Sequence, residues 1–166
     1  MADSAKAMPA PVLLKNIVDG LEMQFEESSS FLDLDTGQVE TVSHDLLNEA
    51  EETGGEKPDL PDWQKGEWEV ARRIISTDRF VKLPTKFDIH EWSIMEEFSY
   101  SVDSRPIQTD LLNALHGKGA FRHFKDTVRR HRIEQDWFKF RDEALREIAI
   151  AWCEEHRISW KSEEAD

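Results

Sequence analysis

A chain of 166 residues has the length of one domain and can bury roughly two-thirds of its unfolded surface in a single core. Its 39% apolar content, with six Trp and nine Phe, supplies that core, while 34% charged residues, a mean hydropathy of −0.64 and no apolar run of the ~18 residues needed to span a bilayer exclude an integral membrane protein. A net charge of −14 opposes general adhesion to nucleic acid or anionic lipid, so any anion has to be met by a local patch.

In chain order, residues 1–11 are small, polar and Pro-punctuated and are expected as a flexible tail. Residues 1–20 show no apolar stretch of signal-peptide length, and Cys153, the single cysteine, permits no intrachain disulfide; a cytoplasmic location is expected. Residues 12–158 are expected to form one α+β domain, mostly helical, with a small antiparallel hairpin or sheet packed against helices. Leu13, Leu14, Ile17, Val18, Leu21 and Phe25 recur at helical spacing despite Gly20, which weakens the first helix by ~1 kcal/mol relative to Ala. Then Leu32 and Leu34 alternate with Asp33 and Asp35, a turn falls at Asp35-Thr36-Gly37, and Val39 and Thr41 follow, which is a hairpin pattern.

Residues 45–52 suit a short helix, and residues 53–61, rich in Gly, Pro and acid, an exposed loop. Asp62 can cap a helix to about Ser76 with Trp63, Val70, Ala71, Ile74 and Ile75 inward, and RFVKLP reads as a short strand ended by Pro84. Asp88 followed by Glu91 resembles a capping box ahead of a helix that buries Trp92, Ile94, Met95 and Phe98. Pro106 suits a helix first turn and Gly117 its left-handed end. Trp137, Phe140, Ala144, Leu145, Ile148, Ala149 and Trp152 trace a last long helix ending near His156 or Arg157. Residues 159–166 are expected as a flexible acidic tail.

Between these helices lies the segment HGKGAFRHFKDTVRRHR, residues 116–132, with six Lys and Arg against Asp126, a local +5 in a molecule whose other residues sum to −19. Residues 1–60 alone hold fourteen acids against three lysines, a solvated acidic face that could equally repel wrong partners or recruit a basic one. Helical spacing puts Phe121, Phe124 and Val128 on one face and Arg122, Lys125, Arg129 and Arg132 in a stripe beside it, after a Gly117-Lys118-Gly119 turn whose amides could approach an anion. An amphipathic helix carries a charged outer side in any case, however, and these cations could pair with acids of the same domain. Both readings stay open on the sequence.

No complete catalytic or metal motif accompanies the stripe. The GxxxxGK[ST] pattern fails, since Leu112 stands where its first Gly belongs and Gly119 follows Lys118. Asp35-Thr36-Gly37 matches the aspartic-protease tripeptide, but it occurs once and is also what a hairpin turn requires sterically. His116, His123 and His131 are interrupted by the glycines and lack further ligands, so no metal or other cofactor is expected. Cys153 with His156 three residues on lacks an orienting third group and reads as core.

FLDLDTGQVE, RFVKLP, LLNALHGKGAFRHFKDTV, WFKF and AIAWCEEHRI, in that order, resemble the uncharacterised family UPF0158 over most of residues 12–158. The resemblance implies a small bacterial-type protein without an established activity, and it transfers no functional residue. Two functions are therefore expected from the residues themselves. One is a non-enzymatic interaction or regulatory module for a protein partner, with no membrane contact and an oligomeric state the sequence does not set. The other is a nucleic-acid or nucleotide-phosphate binder, even a phosphodiester-processing one, using Lys118, Arg122, His123, Lys125, Arg129 and Arg132, with His123 as general acid or base and Asp126 orienting it.

Overall fold

The computed structural model describes residues 11–24, 26–54 and 59–162. In chain order they form β1 (Val12–Leu13), α1 (Leu14–Met23), β2 (Ser28–Asp33), β3 (Val39–Ser43), α2 (His44–Thr53), α3 (Asp62–Ser76), β4 (Phe80–Lys82), α4 (Lys86–Ile89), α5 (Glu91–Ser101), α6 (Arg105–Ala114), α7 (Ala120–Arg130), α8 (Glu134–Glu155) and β5 (Trp160–Lys161). This is the mostly helical α+β class with a small antiparallel sheet that the pattern predicts. Two compact units emerge, Met1–Lys86 with Ala149–Asp166, and Phe87–Ile148.

The first unit is built on a three-stranded antiparallel sheet of order β3-β2-β4. Its hairpin closes at Asp35-Thr36-Gly37, where Gly37 takes φ 77°, a left-handed conformation that only glycine adopts without steric cost. Asp33 is buried there and accepts hydrogen bonds from Arg79 Nη2 at 2.7 Å and from the Asp35 amide at 2.9 Å. Burial alone would raise its pKa, but the bond and charge of Arg79 and the turn amides outweigh it and hold the carboxyl below its ordinary value. In α1 Gly20 has a packing reason: a Cβ there would stand 2.7 Å from Val39 Cγ1 and 2.9 Å from Leu83 Cδ2. The glycine that weakens the helix lets it approach the sheet.

Helices α2 and α3 close a cluster of Val42, Leu46, Ala50, Trp68 and Ala71. The Ser43 hydroxyl caps α2 by accepting from the Leu46 amide at 3.3 Å. In α3 the expected inward Trp63 is 78% exposed, and Trp68, fully buried, takes its place. With Trp68 and Ala71 defining the inner face, a residue five positions before Trp68 points across the helix axis. Nor does Asp62 cap this helix: Pro61 is the capping residue and Asp62, already in the first turn, pairs with Lys65 at 2.8 Å.

At the chain ends the expectations shift again. Val12 and Leu13, read as the start of a helix, pair in parallel with Trp160 and Lys161, which were placed in a flexible tail. Two-residue strands are held by backbone bonds such as Val12 N–H to Ser159 O, 2.9 Å, and leave no periodic signature in sequence. The expectations for residues 1–10, Phe25, 55–58 and 163–166 lie outside the described residues.

The second unit centres on edge-to-face aromatics, with Phe124 5.0 Å from Trp137 and 6.2 Å from Phe98 between ring centres. Asp88, expected to cap α5, lies inside α4 instead. His90, at φ 56°, precedes α5 without a side-chain cap, and Glu91 instead accepts from Arg141 Nε at 2.8 Å. Ser104 caps α6, which carries Pro106 in its first turn and ends at Ala114, with Leu115 rather than Gly117 as its C-terminal cap. Trp137, Leu145, Ala149 and Trp152 of α8 are buried as their spacing predicts. Among the described residues no helix is long and apolar enough to cross a membrane.

Candidate functional site

Helix α7 owes its limits to backbone freedom at one end and strain at the other. Gly117 and Gly119, at φ 86° and 71°, turn the chain out of α6, and Gly119 caps α7 without a side chain. At the other end Arg132, at φ 58°, occupies the left-handed position after the His131 cap, with Ile133 N–H donating to Val128 O at 3.1 Å and Arg132 N–H to Arg129 O at 3.1 Å. The same tripeptide ends α8: Arg157 has φ 59°, and Ile158 N–H donates to Cys153 O at 2.8 Å. Glycine is the usual occupant of such a position.

Phe124, Thr127 and Val128 are the buried face of α7, so Arg122, Lys125 and Arg129 are held outward. Phe121, expected beside Phe124, is instead 45% exposed and lies one turn from Lys125. The stripe is shorter than the spacing suggests, because the helix stops at Arg130 and Arg132 leaves it through its left-handed backbone. Lys118 stands exposed in the glycine turn.

Ion pairing divides these cations. Arg129 Nη1 lies 3.3 Å from Asp126 Oδ1, and Arg130 Nη2 3.6 Å from Asp110 Oδ2. Lys118, Arg122, Lys125 and Arg132 form no ion pair among the described residues. Arg129 and Arg130 also sit in the last turn, where the helix dipole favours positive charge.

His123 is exposed on the flank of α7, and Asp126 turns to Arg129 rather than to it. The histidine that a carboxylate does hold is His131, whose Nε2 is 2.9 Å from Asp110 Oδ2, the oxygen that also faces Arg130. Asp110 on α6 is thus the hub of a small polar cleft of about 420 Å³ that His123, Asp126 and Thr127 also line. The sequence reading missed this arrangement, because Asp110 in α6 and His131 after α7 stand twenty-one positions apart and no local spacing announces the pair.

Elsewhere, Asp35-Thr36-Gly37 is a hairpin turn whose Asp35 meets Arg79 Nη1 at 3.4 Å. Cys153 is fully buried, and burial pushes its thiol up to about 11, away from a reactive thiolate. His156 lies tilted against Trp152, with ring centres 5.1 Å apart. Among the described residues no three His, Cys, Asp or Glu side chains come together as a metal site.

The model of a family described as uncharacterised protein family UPF0158 matches residues 9–165. A UPF0158 protein of Pseudomonas aeruginosa (strain PAO1) is 32% identical over 66 residues, which is 39% of this chain; the chain spans 43% of that relative's length. No solved structure matches it.

Proposed function

The chain therefore belongs to the UPF0158 family, and from that premise we propose that it is a non-catalytic interaction module whose helix α7 binds an acidic surface of a protein partner. The observation that carries this reading is the unpaired state of Arg122 and Lys125, with Lys118 and Arg132 at the helix ends, in a molecule holding 35 acids against 21 cations. Cations that serve the fold find partners here, as Arg79, Arg130 and Arg141 do. These four are exposed and form no ion pair among the described residues. A charged rim of this kind sets partner choice and association rate more than raw affinity.

A nucleic-acid surface is the second reading, favoured by one observation: Phe121 is exposed beside Lys125, where a base could stack. Charge count weighs against it. Four cations would release few counterions, giving a log–log salt slope no steeper than about −4, and the −14 net charge opposes approach.

The test is fluorescence anisotropy with a labelled Glu-rich peptide and, separately, single-stranded RNA. The acidic peptide is expected to saturate and to lose at least about tenfold in affinity, about 1.4 kcal/mol, in R122E/K125E. Preferential binding of the RNA, lost in the same variant, would replace the first reading with the second.

A further inference from the structure

A second feature of the unit Phe87–Ile148 complements α7. Val102, Ile107, Ile133 and Phe140 line a cleft of about 450 Å³, a volume within the range of ligand pockets. Asp103, Asp136 and Glu143 stand at its rim, exposed and with no ion pair among the described residues, and Lys139 stands among them. The Ser101 and Ser104 hydroxyls in its lining are already engaged, with Phe98 O and the Ile107 amide. What the cleft offers is therefore an apolar floor within a mainly acidic rim. The occupant that satisfies both is an apolar group flanked by cations.

This chain carries such a group on its own surface. Phe121 is exposed, Arg122 follows it, and Lys125 lies one turn on, neither cation paired among the described residues. We propose that the acidic partner surface of α7 is this cleft on a second copy of the chain, with Phe121 seated on the floor and Arg122 and Lys125 against Asp103, Asp136 and Glu143. The inference rests on the function proposed above and names its partner. Charge does not forbid the contact. The unit Phe87–Ile148 holds twelve acids and ten cations, a net −2, so most of the −14 lies outside the residues that would meet. At about 0.15 M salt the Debye length is about 8 Å, which screens the remote acids while the touching pairs persist.

Sedimentation velocity of the full chain at that ionic strength tests it with two charge reversals, R122E/K125E on the helix and D103K/E143K on the cleft. Wild type is expected to sediment with a mass above that of one 19.3 kDa chain, and each variant alone as a monomer. An equimolar mixture of the two variants is expected to associate again, because each reversed surface then meets its opposite. Thermal midpoints close to wild type are expected for both variants, since all four residues are exposed and unpaired; loss of association through unfolding would show as a collapsed midpoint and is controlled by the mixture, which unfolded chains would not restore. A monomeric wild type, association that either variant leaves intact, or a mixture that stays monomeric overturns the proposal. A monomeric wild type that still binds the acidic peptide through Arg122 and Lys125 overturns self-association alone; one that binds no such peptide overturns the proposed function too.

Discussion

Arg79 and Arg122 show how differently the two units use positive charge. The unit Met1–Lys86 with Ala149–Asp166 holds twenty-three acids against eleven cations, net −12, and the unit Phe87–Ile148 has a net −2. Yet the acid-rich unit folds Arg79 inward onto Asp33 and Asp35, whereas in the nearly neutral one Arg122 and Lys125 face solvent unpaired. Pairing thus follows topology rather than the abundance of acid. Arg79 enters β4, the strand bonded to β2, and register brings Asp33 opposite Phe80, beside it. Arg122 and Lys125 lie opposite the Phe124 face, and the packing that anchors α7 turns them away from the fold.

The largest effect that sharpens this contrast is loss of the anchor. Phe124→Ala removes a fully buried ring packed edge-on against Phe98 and Trp137, and should cost about 3–5 kcal/mol in urea denaturation. A cost near zero would mean that α7 is not held by this face.

Next comes the inward pair of the other unit. Asp33→Ala deletes a buried carboxylate with two charge-assisted bonds and should cost about 2 kcal/mol. Because the folded-state pKa of Asp33 is depressed, its stabilisation is fully present above the unfolded value of about 3.9 and is lost as pH falls through the folded one. The wild-type advantage over Asp33→Ala should therefore shrink between about pH 5 and pH 2, read from denaturation midpoints. An advantage independent of pH would contradict the pairing.

The smallest effect is at the end of α7. Arg132→Gly relieves a left-handed backbone that costs a non-glycine residue about 1 kcal/mol, offset by the greater freedom of glycine in the unfolded chain. A gain of about 0.5 kcal/mol is expected, with Arg157→Gly behaving alike at the matching position of α8. Marked destabilisation by Arg132→Gly would show that its side chain is tied down.

What the sequence made legible is whatever repeats with the period of its element. The hairpin, α2 and the buried positions of α8 were readable because alternation and 3.6-residue spacing act within one segment. Trp63 and Trp68 show the limit: α3 has enough apolar residues for two candidate faces, and only the Val42, Leu46 and Ala50 surface selects between them. β5 and the His131–Asp110 bond depend on residues far apart in the chain and carry no local period. The basic segment itself was visible from composition alone. Which of its cations are unpaired was not, since that depends on where α6 places Asp110 and where the helix stops.

The central claim, that the unpaired cations of α7 form a binding surface, is tested most directly by the salt dependence of Glu-rich peptide binding in wild type and in Arg122→Gln/Lys125→Gln. Neutralisation keeps side-chain length and removes only charge. Affinity is predicted to fall with rising salt in wild type, and the log–log slope to shrink in the variant together with the affinity at low salt. Equal slopes and equal affinities in the two proteins would contradict the account.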